Sequence, residues 1–180
     1  MTKKSVPKIE VRRAERQDIS TLVEMRIALL EEVGNVRSKS DARDLKGAIR
    51  RYFHRELPAG RYVAFIGRAE GQAVVCGGLA FYARPPHQGN DSGKEAYLMG
   101  MYTSASWRGK GLGRRVLRKI LALAKARGVG RVWLHSEPGA RTLYGRAGFR
   151  SNDSYMELTW RRGKSRKWHA RGLKKERMER

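Results

Sequence analysis

The sequence predicts a mixed α/β (α+β) domain built on one central sheet. Six short strand-like segments and four helical ones follow one another in the order β-α-α-β-β-β-α-β-α-β. The 180 residues are 40 % hydrophobic, enough to bury one sizeable core. The excess positive charge gathers towards the ends, so an apolar-patterned middle, residues 9–160, is set off from a basic extension, 1–8, and a basic tail, 161–180.

Each element has a local reason. "IEVRRA" (9–14) reads as a strand. Apolar residues at 19, 22, 23, 27, 30 and 33 mark a helix that Gly34 ends. "NVRSKSDARD" (35–44) reads as a polar link. A second helix follows, with Leu45, Ala48, Ile49, Tyr52, Phe53 and Leu57 on one face, and Pro58 stops it. Strands over 61–70 and 73–84 flank "EGQ", a tight hairpin signal. "PPHQGNDSGK" (85–94) is a loop and "EAYLMGMYTS" (95–104) a strand. Leu112, Val116, Leu117, Ile120, Leu121 and Ala124 define a third helix. A strand at 131–136, a short helix at 139–148 and a closing strand at 154–160 complete the order.

The formal net charge is +23 and the pI about 11.0. Such a charge favours anionic partners and argues against polyamines as substrates, through repulsion on encounter. In the tail, ten Lys or Arg residues face Glu176 and Glu179, which suggests contact with a polyanion. Cys76 is the lone cysteine, so no internal disulfide forms, and its apolar run "AVVCGGLAF" reads as a buried, inert thiol. The N-terminus lacks a secretory pattern, and no apolar run approaches the ~20 residues of a membrane span. These features predict a cytoplasmic protein. His54, His87, His135 and His169 have no metal-site spacing, so no metal is expected.

Chemistry concentrates in "WRGKGLGRR" (107–115), between a strand and a helix. The first amides of a helix have no intrahelical partner, and with the helix dipole they attract anions. Gly109, Gly111 and Gly113 permit torsions closed to other residues, and Arg108, Lys110, Arg114 and Arg115 add charge. The spacing is neither that of the Gly-Lys-Ser/Thr phosphate loop nor that of the dinucleotide G-x-G-x-x-G turn.

Arg108-x-x-Gly111-x-Gly113 resembles the R/Q-x-x-G-x-G/A motif of the GNAT superfamily of acyl-CoA-dependent N-acyltransferases. "LYGRAGF" (143–149) resembles that family's late L-Y-x-x-x-G-F element, and the order of elements agrees over about 9–160. The resemblance implies a mostly antiparallel central sheet flanked by about four helices, with the fourth and fifth strands splayed. It implies an acetyl-CoA-dependent N-acetyltransferase, often a homodimer, acting by direct attack of a primary amine in a ternary complex.

Residue by residue, the resemblance implies that the loop amides of Arg108, Gly109, Lys110, Gly111, Leu112, Gly113 and Arg114 hold the pyrophosphate of coenzyme A. Met101, Tyr102 and Thr103 would pair with the pantetheine arm. A β-bulge at Gly100 would free an amide for the thioester carbonyl. Tyr144 falls on the frequent general acid. Glu137 stands where family members often carry an Asn that helps hold the pantetheine, and an ionised glutamate cannot donate the corresponding hydrogen bond. Glu95, Tyr97, His135 and Glu137 are the candidates for the general base. Glu31, Glu32, Tyr82, His87, Asp91 and Asp153 fall in segments that line the acceptor pocket. Two other readings stand beside the enzyme: an RNA- or ribosome-associated basic protein on the same fold, and a CoA-binding protein without catalysis.

Overall fold

Alternation along the strands assigns each residue to one of two apolar layers. The computed structural model describes residues 9–152 and 156–158. Its elements are β1 (Glu10–Arg13), α1 (Ile19–Glu32), α2 (Lys39–Glu56), β2 (Tyr62–Ala69), β3 (Gln72–Ala83), β4 (Lys94–Thr103), α3 (Leu112–Ala126), β5 (Arg131–Trp133) and α4 (Arg141–Gly145). The strands form one sheet in the order β1-β2-β3-β4-β5, antiparallel except for the parallel β4–β5 pair. Val75, Leu79, Ala96 and Leu98 enter a core with Leu112, Val116, Leu117 and Ile120 of α3 and Tyr144 of α4. Tyr62, Ala64, Ile66 and Cys76 point to the other face, against Ile19, Leu22 and Val23 of α1 and Phe53 of α2. This is the mixed, mostly antiparallel sheet with four flanking helices that the sequence predicts.

Several boundaries move. α2 begins at Lys39, inside the expected link, because the Ser38 hydroxyl accepts from the Asp41 amide and caps the helix six residues earlier. β5 stops at Trp133 instead of 136, and α4 covers only part of 139–148. Glu70 and Gly71 form the β2–β3 turn with φ of 50° and 77°, the mirror-image turn that matches strand twist. All these elements lie in one unit that ends at Phe149, and a second unit begins at Arg150. Residues 156–158 of the expected closing strand are outside any strand, and the rest of it, apart from those three, lies outside the described residues. The extension 1–8 and the tail 161–180 also lie outside them. Among the described residues, no helix is long and apolar enough to cross a membrane.

One buried carboxylate ties the start of the fold together. Asp18, 1 % exposed, takes a two-pronged contact from Arg12 of β1 at 2.7 and 2.8 Å and a third from Arg68 of β2 at 3.1 Å. It also accepts the Glu15 amide at 2.9 Å. The Arg12 hydrogen bond, helped by that amide and by Arg68, holds the Asp18 carboxyl down at about 2. The folded pKa is depressed, so the stabilisation is complete above the ordinary carboxylate value of 3.8 and fades as pH falls through about 2. We predict that Asp18 contributes about 2 kcal/mol between pH 4 and pH 2. Denaturant titrations should show that slope in the parent chain and its loss in Asp18→Asn.

Candidate active site

β4 is longer than its partner on one side. It pairs with β3 along its whole length, from Ala83↔Lys94 to Val75↔Thr103. With β5 it pairs at only three positions, ending at Tyr97↔Trp133. The β5-side edge from Leu98 to Thr103 therefore has no strand partner among the described residues. Such an edge can accept an extended chain as an added strand. Within it the register slips: Gly78 faces Met99 and Cys76 faces Tyr102, so Gly77 alone opposes both Gly100 and Met101. This is a β-bulge at the expected position, and Gly100 adopts the φ of 67° that it needs.

The bulge is braced from both faces. A Cβ on Gly77 would stand 2.2 Å from the Met101 sulfur, so the glycine makes room for Met101. On the other face the Cys76 thiol donates to the Gly100 carbonyl at 3.3 Å. Burial pushes that thiol up to about 12, so it is neither a thiolate nor exposed at neutral pH.

Beyond Thr103 the chain turns through the glycine loop into α3. Gly109 and Gly111 both have φ of 74°, and Gly111 is the residue that caps the helix. The six successive amides from Gly109 to Arg114 donate to no acceptor among the described residues. They form a concave row of donors at the positive end of a 15-residue helix. Arg108 faces elsewhere. Its Nε donates to the Thr103 carbonyl at 2.9 Å and its Nη2 pairs with Glu32 at the end of α1, so it anchors the loop to both elements. Lys110 lies over the Trp107 ring at 4.4 Å. A Cβ on Gly113 would lie 3.6 Å from Leu143 and 3.8 Å from Thr103, which seats α4 against the loop.

α4 places Tyr144, which is 8 % exposed. The helix ends in a left-handed Gly148, with the Phe149 amide returning to the Tyr144 carbonyl at 3.1 Å and the two rings meeting edge to face at 5.9 Å. This C-terminal lock explains the spacing of "LYGRAGF". Burial, and next the Tyr97 hydroxyl, push the Tyr144 phenol above its ordinary value, so it keeps its proton at neutral pH.

A polar array continues the α1/α2 face of the sheet across β3, β4 and β5. Tyr97 packs on Trp133 at 4.7 Å between centroids, and its hydroxyl lies 2.8 Å from His135 Nδ1. Trp133 Nε1 donates to the Tyr82 hydroxyl, which donates at 2.9 Å to Glu95 Oε2. Glu95 is 1 % exposed, whereas His135 is exposed. Glu95 Oε1 has no hydrogen-bond partner among the described residues, although Arg84 and Arg131 stand at 3.6 and 3.9 Å. Glu137 is exposed just after β5.

Of the acceptor-side candidates, Glu32 is committed to Arg108, and Tyr82 belongs to the Glu95 array. His87 and Asp91 sit in the loop before β4, and Asp153 lies outside the described residues. The Arg108–Glu32 bridge and the Tyr82–Trp133 contact span 76 and 51 residues, and no local pattern announces them.

The model of the acetyltransferase (GNAT) family matches residues 25–149. The chain belongs to the acetyltransferase (GNAT) family. It is therefore an acyltransferase. A predicted acetyltransferase from Clostridium acetobutylicum, solved with acetyl-CoA, is 28 % identical, with a TM-score of 0.78 over 84 % of this chain and 96 % of that one. A GCN5-related N-acetyltransferase from Ralstonia eutropha JMP134 shares the fold at 22 % identity and a TM-score of 0.75, covering 84 % and 99 % of the two chains. Glucosamine-6-phosphate N-acetyltransferase from Arabidopsis thaliana does so at 21 % and 0.63, covering 85 % and 98 %. No curated protein matches the sequence.

The lock at Gly148 supplies a check on this geometry. Gly148→Ala forces a side chain onto a φ of 96°, which costs about 1 kcal/mol or more. Equilibrium unfolding should register that loss. The fluorescence or alkaline titration of Tyr144 should shift with it.

Proposed function

We propose that this GNAT-family enzyme transfers an acetyl group from acetyl-CoA to a primary amine by direct attack. The observation that carries the reading is the row of six amides, Gly109 to Arg114, without acceptors among the described residues, directly beyond the edge of β4 that lacks a described strand partner. Those amides suit a pyrophosphate, and the edge at Met101, Tyr102 and Thr103 suits the amide-rich pantetheine arm. The bulge at Gly100 brings a backbone amide to the region where the thioester carbonyl oxygen gains negative charge. When bound, acetyl-CoA supplies an activated acyl group and a thiol leaving group.

The chain's own groups then divide the work. Tyr144 holds a proton in a desolvated setting and gives it to the departing sulfur. The attacking amine must first shed a proton, because an ammonium has no lone pair. His135 is the better placed base: it is exposed, and its Nδ1 meets the Tyr97 hydroxyl at 2.8 Å, so a proton can pass from the cleft to solvent. Glu95 is sealed and reaches the surface only through the Tyr82 hydroxyl, so it serves as a base only by that relay. Glu137 borders the pantetheine path as an acceptor. The buried Cys76 thiol, up at about 12, favours direct transfer over a covalent enzyme intermediate.

Three outcomes test the assignment. Gly111→Glu should lower acetyl-CoA affinity at least about hundredfold by calorimetry, since it sets a carboxylate in the anion cradle. Unchanged affinity refutes the loop. Tyr144→Phe should cut kcat about tenfold to a thousandfold in a thiol-release assay, with KM for acetyl-CoA nearly constant. Equal turnover makes Tyr144 a packing residue. His135→Gln should flatten the acidic limb of the pH–rate profile while Glu95→Gln keeps it. The reverse result moves the base to Glu95 and Tyr82.

A further inference from the structure

A second concave site lies beyond the Arg108–Glu32 contact, where α1 hands over to α2. It is a cavity of about 800 Å³, floored by Val36 and Ala42. Arg37, Lys39, Arg43, Lys46 and Arg50 line it against a single carboxylate, Glu31. At 100° per residue, the four α2 cations fall within an arc of about 60°, while Asp41 and Asp44 lie well round the helix from it. A solvated helix face would mix the signs; this one sorts them. Lys46 pairs with Glu24 at 2.8 Å, and the Arg37 Nε is held by the Gly34 carbonyl at 3.2 Å. Lys39, Arg43 and Arg50 have no acidic partner among the described residues. Gly47, in mid-helix, carries no side chain into the groove, although glycine there costs about 1 kcal/mol of helix stability.

We infer that this groove binds phosphate groups carried by the acceptor amine, so that the preferred substrate is a phosphorylated amine. The inference rests on the acetyl-transfer reading for its catalytic half. The lining has a net charge of about +4, which one carboxylate would leave largely unmatched but one or two phosphate groups would balance. Three arginines offer the planar forks that clasp phosphate oxygens two at a time. Among the described residues the groove holds no aromatic side chain, so they offer no stacking platform of the kind on which bases of a single-stranded nucleic acid rest. Its volume suits a small ligand. Glu31 borders the groove and the next residue, Glu32, grips the loop arginine, so the phosphate site adjoins the cofactor side of the cleft.

The test uses the full chain with CoA in excess, which fills the loop, and tripolyphosphate as probe. Arg43→Ala/Arg50→Ala should weaken the probe at least about tenfold by calorimetry, and Arg118→Ala/Lys119→Ala, an equal charge change on α3, less than about twofold. Alanine favours helix, so both variants keep their elements. In thiol-release assays, O-phosphoethanolamine should exceed ethanolamine in kcat/KM by about tenfold or more. That advantage should vanish in the groove variant with KM for acetyl-CoA unchanged. Equal loss of probe affinity in both double variants, or no gain from the phosphate, overturns the proposal. So does a short RNA whose affinity falls more than the probe's in the groove variant alone. If no amine releases thiol while the probe still depends on Arg43 and Arg50, the acetyl-transfer reading fails and the phosphate site stands.

Discussion

Backbone amides and carbonyls on a strand edge need partners, and β4 finds them towards β5 only as far as Tyr97. The rest of the site follows from that shortfall. β5 ends at Trp133, and β4 runs on to Thr103 with one edge that has no strand partner among the described residues. The bulge at Gly100 and Met101 twists the open part further and sets its local carbonyl against the Cys76 thiol. Because β3 pairs with β4 from Lys94 to Thr103 on the other side, with one slip at the bulge, that edge is already extended. A ligand can pair with it without first paying to order it.

The glycine loop extends this edge and depends on it. Its amides are useful only if they stay fixed while lacking internal partners, a state that costs free energy in isolation. Arg108 helps hold them there by binding the end of β4 and the end of α1 at once. Leu143 presses on Gly113 from α4, and the same short helix turns Tyr144 into the core. Loop, strand edge and phenol are thereby one mechanical unit, although they come from three separate parts of the chain.

Charge is distributed with equal economy. In the loop, Arg108 is taken up by Glu32 and the Thr103 carbonyl, and the α2 stripe faces its own cavity. Asp18 shows the opposite use of arginine: Arg12 and Arg68 neutralise a buried carboxylate and pin β1, the start of α1 and β2 together. The same residue type thus pins the fold at Asp18 and lines the cavity beside α2. Pairing separates the two uses: Arg12 and Arg68 are tied to Asp18, whereas Arg43 and Arg50 have no acidic partner among the described residues.

Local order was what the sequence determined: the order of the helices and of the first five strands, and that Gly109 and Gly111 turn the chain into a helix; the β4 bulge was implied by the family resemblance alone. The element order and the turn depend on neighbours in the chain, on torsional freedom and on periodicity, so they are visible in one dimension. Even there, the Ser38 cap moved the start of α2 by six residues, into a stretch whose polar composition gives no apolar periodicity to mark a helix. Tertiary structure alone decided which polar groups meet. It turned Glu32 from a free acid into the partner of Arg108, sealed Glu95 beneath Tyr82, and put the Tyr97 hydroxyl on His135. It also set the α2 cations, whose common helix face follows from their spacing, around a cavity. The Arg108–Glu32, Tyr97–His135 and Tyr82–Trp133 contacts join residues 76, 38 and 51 positions apart, which no local pattern encodes.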